Sequence, residues 1–146
     1  MKDYKINALN DFFKSKGLTY RLASPSISSY KLITINKIPI YARLANTPQT
    51  VEKGLMGVEA LDSNEGCLLC FGYDAPANLW MKNCKINLQA VGITKAGEIT
   101  DILNMTHKDP YYIHRTGQSV RYVLEMPEGF FTKNNIKVGD RVRIDF

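Results

Sequence analysis

Apolar and polar positions alternate in two runs near the start of the chain's larger part, over residues 30–35 and 38–45, with Asn36-Lys37 between them. A period of two predicts strands that present alternate side chains to one core, and a two-residue polar break between such runs predicts a hairpin. Pro39 cannot donate to a ladder, which places the start of the second strand at an edge. Asn46-Thr47-Pro48 then reads as a helix start, with a capping side chain and Pro in the first turn. That helix is expected to run to about Leu55-Met56 and to stop near Gly57. Further strands are expected at 67–71, 79–82, 88–94, 98–103, 120–126 and 141–146. Residues 104–118, polar and containing Pro110 and Gly117, read as a long loop, and 127–134 as a short helix or turn. Many short strands with two short helices predict a mainly β (α+β) fold, a compact antiparallel β-barrel-like domain.

The pattern before residue 30 is different. Ile6, Leu9 and Phe13 fall at helical spacing, Asp3 can cap the helix, Lys14 and Lys16 suit its last turn, and Gly17 can stop it. Residues 24–29, Ser-Pro-Ser-Ile-Ser-Ser, have the composition of a linker. The expected organisation is an amphipathic arm with its linker over residues 1–28 and a single β-rich domain over 29–146.

Charge sharpens that division. Of the net +5, residues 1–31 contribute +4, from six Lys/Arg and two Asp. The basic character therefore belongs to the arm. Its charges are spaced singly, without a Lys/Arg block, so a docking or solvated arm is expected rather than one that binds nucleic acid. The apolar runs are too short to span a bilayer, and the N-terminus lacks the apolar segment of a secretory signal. These features predict a protein that stays where it is made, in the cytoplasm or assembled in a particle.

Three cysteines, Cys67, Cys70 and Cys84, are an odd number and fit free thiols in a reducing compartment. Cys67 and Cys70 have CxxC spacing, but no second pair completes a zinc site. On a strand they would also point to opposite faces. Two small apolar core residues are the favoured reading. Cys84 could act as a nucleophile with a histidine, or simply be a small residue at a strand end. His107, Asp109 and His114 could hold a metal, but their spacing matches no ligand motif, and a surface loop is favoured. No cofactor and no metal are expected. Tyr111, Tyr112 and Arg115 in the same loop are residue types suited to a partner contact.

Five segments resemble one family: Ala45-Asn46-Thr47-Pro48 with Gly54-Leu55-Met56; Gly66-x-Leu68-x-x-Phe71; Trp80-Met81-Lys82-Asn83; Tyr122-Val123-Leu124-Glu125-x-Pro127-x-Gly129; and Gly139-Asp140-x-Val142. In order and spacing the chain resembles domain of unknown function 192 over about residues 33–146. The resemblance implies a compact β-barrel-like domain with short helices and carries over no catalytic residue. Relatives occur in phage genomes, which implies a virion component as one specific role. Two departures stand out. Cys84 replaces the usual Thr, and Asn87-Leu88-Gln89 replaces Pro-Leu-Asp, which removes a carboxylate that could exchange a proton.

Trp80-Met81-Lys82-Asn83 and Glu125 are the candidate ligand-binding residues. On a strand Trp80 and Lys82 would share one face, and Met81 and Asn83 the other. They would then form either a pocket mouth or a core plug with a turn. Glu125 sits in an otherwise apolar strand and must pair or be exposed, with Lys82 the expected partner and Arg121 the alternative. The overall expectation is a non-catalytic binding or structural module docked through its arm, with Ile6, Leu9, Phe13, Tyr111, Tyr112 and Arg115 as contacts. The alternative is a small-molecule-binding domain or enzyme at Trp80, Lys82, Asn83 and Glu125.

Overall fold

A computed structural model describes residues 30–146. The arm, with Ile6, Leu9 and Phe13, and the linker lie outside the described residues. The described strands are β1 (Tyr30–Ile35), β2 (Ile38–Ala45), β3 (Glu65–Ala75), β4 (Asn78–Leu79), β5 (Leu88–Ile93), β6 (Ile99–Met105), β7 (His114–Arg115), β8 (Val120–Pro127) and β9 (Val142–Asp145). Two short helices join them, α1 (Pro48–Lys53) and α2 (Phe130–Lys133). Seven strands form one curled half-barrel sheet in the order β6-β5-β8-β3-β2-β1-β9, and β4 pairs with β7 apart from it.

The expected β architecture is present, with one amendment. β2 and β3 run parallel, because α1 and the loop after it carry the chain back before β3 begins. A parallel neighbour needs such a crossover, whereas a hairpin gives an antiparallel one. The β1–β2 hairpin turns at Asn36 and Lys37, both left-handed with φ of 50° and 66°. That is the primed turn whose twist matches the flanking strands. α1 is capped by a reciprocal pair: Thr47 Oγ1 accepts from Thr50 N at 3.1 Å, and Thr50 Oγ1 accepts from Thr47 N at 3.0 Å. The helix ends at Lys53, short of the expected Leu55-Met56, because Gly54 turns the chain at φ 46°.

The alternation of side chains divides the core between the two faces of the sheet. Ile33, Ile35, Ile40, Leu68, Val91, Ile93, Leu124 and Met126 fill the inside of the curl, together with Phe130, Phe131 and Ile136 from α2 and the turn after it. Cys67, Leu69, Leu88, Ala90 and Val123 face the other way, under Leu55, Ala77, Leu79 and Met81. The curl is drawn together where the β5–β6 turn meets the start of β9. Val142 N donates to Gly97 O at 2.7 Å, and Ile99 N to Asp140 O at 3.0 Å. A Cβ at Gly97 would lie 2.7 Å from Val142 O, so only glycine permits this approach.

The 104–118 segment, expected as a plain loop, is tied to the domain and contains β7. Met81 N donates to Pro110 O at 3.1 Å, Thr116 N to Ala77 O at 3.0 Å, and Ala77 N to Thr116 Oγ1 at 2.9 Å. No helix among the described residues is long and apolar enough to cross a membrane.

Candidate functional site

Glu125 lies mid-way along β8, between Leu124 and Met126 of the inner core. Strand parity turns its side chain to the opposite face. There its register neighbours are Cys67 on β3 and Ala90 on β5. Both are small, so the long side chain stands over them and is 94% shielded from solvent (relative exposure 6%). The chain beyond α1 folds over this face, as does the segment from Asn78 to Cys84. Between these coverings and the sheet is a cleft of about 190 Å³, lined by Val51, Glu52 and Lys53 at the end of α1, by Gly54, Leu55 and Met56 after it, and by Leu69, Phe71, Asn78, Leu79, Trp80, Cys84 and Glu125.

The carboxyl group has no hydrogen bond or ion pair among the described residues, and burial alone raises its pKa from the ordinary 4.5 to about 7. The expected Lys82–Glu125 pair does not form. Lys82 Nζ sits over the ring of Trp80, 5.2 Å from its centroid. Arg121, the alternative partner, bonds Asp74 at 2.8 Å. The physical reason is the turn at Lys82-Asn83, which carries the lysine to the outer side of Trp80 instead of along a strand. The domain's other buried glutamate is a useful contrast. Glu65 accepts from the Tyr30 hydroxyl at 3.1 Å and from Asp62 N at 3.1 Å. A buried carboxyl normally finds such donors, so the one in the cleft is the exception.

Of the four residues singled out by sequence, Trp80 and Glu125 meet in the cleft; Lys82 and Asn83 do not line it. Trp80 is 38% exposed at the mouth, held by Lys82 and by the edge of Tyr111 at 6.3 Å between centroids. Met81 is the core plug, fully buried. Asn83 makes the turn, left-handed at φ 63°, and its carbonyl accepts from Gly57 N at 2.9 Å. Sequence reasoning missed Leu69 and the end of α1 as walls. The family segment Gly54-Leu55-Met56 was the available signal. Gly54 is needed there because a Cβ would come within 3.2 Å of Glu125 Oε1, at a backbone φ of 46° that other residues resist.

The remaining candidates fall into place around the cleft. Cys67 and Cys70 pack on opposite faces, as strand parity requires, and cannot share a metal or a disulfide. Cys84 lines the cleft half-buried, and burial, with the charge of Glu125 added, pushes its thiol up to about 11. A carboxylate beside it disfavours the thiolate, so the pair is a poor nucleophile and base. We expect native Cys84 to react with an alkylating reagent at neutral pH roughly a hundredfold more slowly than the unfolded chain does. Mass spectrometry of the labelled chain checks this; labelling at the unfolded rate would contradict it. His107 is held by Asn87, whose Oδ1 lies 2.7 Å from its Nδ1. His114 meets Tyr112 edge-on at 4.8 Å between centroids, and burial lowers its pKa against the opposing charge of Asp109. No group of three metal-ligating side chains occurs among the described residues. Tyr111, Tyr112 and Ile113 stand exposed beside the mouth, and Arg115 on β7 faces Asn78.

Gln89 receives a new role. It lies on the inner face, away from the cleft. Its Oε1 accepts from Phe131 N at 2.8 Å and Thr132 N at 3.2 Å, and its Nε2 donates to Asn104 Oδ1 at 2.8 Å and Thr132 Oγ1 at 2.9 Å. The position holds the first turn of α2, and its change from a carboxylate to an amide is not a loss of chemistry at the cleft.

Comparison with known proteins agrees with this architecture. A candidate transcription regulator of Sinorhizobium meliloti 1021 superposes with a TM-score of 0.73 at 26% identity, covering 79% of this chain and 92% of that one. A protein of unknown function from Novosphingobium aromaticivorans DSM 12444 superposes with a TM-score of 0.72 at 24% identity, covering 84% and 91%. The second likeness shows the fold alone. No curated protein matches the sequence. Residues 31–144 match the family DUF192, described as "Uncharacterized ACR". That match spans all but three of the described residues, including both walls of the Glu125 cleft, and the chain belongs to the domain of unknown function 192 family.

Proposed function

We propose that this domain is a small-molecule-binding module whose site is the cleft over Glu125. The observation that carries the reading is the unpartnered carboxyl group at the base of an otherwise largely apolar cleft. A buried carboxyl without a donor opposes folding, so its presence is understandable where a ligand supplies the donor. A largely apolar concavity with a few convergent polar groups is the usual form of a ligand site. Its volume, about 190 Å³, is below the ~300 Å³ at which drug-sized pockets begin, so the ligand is small. Trp80 offers a flat wall at the mouth. The low nucleophilicity of Cys84 favours binding over covalent catalysis. Docking through the arm at Ile6, Leu9 and Phe13 lies outside the described residues and forms no part of this proposal.

A fragment screen by protein-observed NMR on the full chain tests the site. Ligands are expected to shift the Trp80 indole signal and the methyl signals of Leu69 and Leu79 first. Replacing Glu125 by Gln is expected to weaken the donor-bearing fragments at least tenfold. Hits that map elsewhere, or bind the variant equally well, would reject the cleft as the site.

A further inference from the structure

This inference rests on the cleft being a ligand site. We propose that its ligand is a small free primary amine, bound as the ammonium ion with its N–H groups on the Glu125 carboxylate and its carbon body against Leu69, Phe71 and Trp80. Three observations lead there. First, the polar groups at the base of the cleft are acceptors. Glu125 Oε1 and Val51 O lie 3.2 Å and 3.8 Å from the point a Cβ would occupy at Gly54. Gly54 has no Cβ, so the two oxygens converge on open space. Neither accepts a hydrogen bond among the described residues. Gly54 N is already used on Thr50 O at 2.9 Å.

Second, the number of donors needed selects the head group. Two separate acceptors call for a head with more than one N–H, and an ammonium has three, free to point at both. A hydroxyl donates once. An anion at the base of the cleft would meet the like charge of Glu125 and the Val51 carbonyl. Third, the charge of the cleft favours a cation. An ionised Glu125 without a counter-charge is costly in this setting, and a neutral donor would leave that charge in place. The Val51 carbonyl adds its partial negative charge to the same space. The apolar walls then fit an alkyl or aryl body, with Trp80 placed to stack on a ring.

Matched probes of one shape test this on the full chain by NMR titration at about pH 8, with the Trp80 indole signal as reporter. Benzylammonium is expected to bind at least tenfold more tightly than benzyl alcohol, with benzoate weaker than either. Glu125→Gln is expected to remove the advantage of the amine over the alcohol. Equal binding of amine and alcohol would overturn the ammonium assignment and leave the cleft as a ligand site. Tighter binding of N-acetyl-lysine amide than of benzylammonium would move the assignment to a lysine side chain of a peptide and overturn the free amine. If none of the probes shifts the cleft signals, the ligand-site reading falls with it.

Discussion

Replacing Glu125 by Gln makes the domain more stable by about 3 kcal/mol at about pH 8 and changes it by less than ~0.5 kcal/mol at about pH 4. The sign follows from the direction of the pKa shift. Burial raises the carboxyl from 4.5 to about 7 in the folded protein, while the unfolded chain keeps the ordinary value. Between these two values the folded state holds the proton and the unfolded state has released it. Stability therefore falls as pH rises through this window and is level on either side of it. A shift of this size corresponds to roughly 3 kcal/mol at ~1.4 kcal/mol per unit. The amide resembles the protonated acid in size and carries no charge, so the variant lacks this part of the pH dependence. Urea unfolding of both proteins at several pH values gives the difference directly, and other titrating groups cancel in the comparison. A variant less stable than the wild type at about pH 8 would mean that the carboxylate has a partner.

Gln89→Ala is expected to have a comparable effect in the opposite direction, a loss of about 3 kcal/mol at all pH values. Four hydrogen bonds disappear together, and the amide N–H groups of Phe131 and Thr132 lose their acceptor. Phe131 is fully buried, so water cannot easily replace the lost bond at its amide. Phe130 and Phe131 sit at the start of α2 and fill the inside of the curl, so the damage spreads from a cap to the core. For a domain of this size such a loss lowers Tm by about 10 °C. Gln89→Glu keeps both acceptor contacts and is expected to lose less than half as much. Differential scanning calorimetry separates these outcomes. A Gln89→Ala protein within ~0.5 kcal/mol of wild type would show that α2 does not depend on this residue.

The parts of the fold written in short-range pattern were legible in the sequence. β1 and β2 follow from period-two alternation and the Asn36-Lys37 turn from its place between them, and β5, β6 and β8 lie in segments expected as strands. The opposite facing of Cys67 and Cys70 follows from the same parity. What was not legible depends on distant contacts. β4 and β7 are two residues each and exist because Asn78 and Leu79 meet Arg115 and His114. The parallel pairing of β2 with β3 depends on where α1 returns the chain. Gln89 looked like a lost carboxylate because the backbone it caps lies more than forty residues away. The site was half legible. Trp80 and Glu125 carried a signal, an aromatic in a polar motif and a charge in an apolar strand. Pairing by charge then selected Lys82 for Glu125, whereas the turn at Lys82-Asn83 stacks that lysine on Trp80.

Everything proposed for the cleft depends on Glu125 being buried, unpartnered and able to ionise near neutral pH. The most direct test is the carbon-13 chemical shift of its side-chain carboxyl in the full chain, followed across pH and assigned by comparison with Glu125→Gln. A midpoint near 7 that falls when benzylammonium is added is expected. A midpoint at 4.5 or below would contradict it, because the carboxylate would then already have the donor or cation that the cleft is proposed to await.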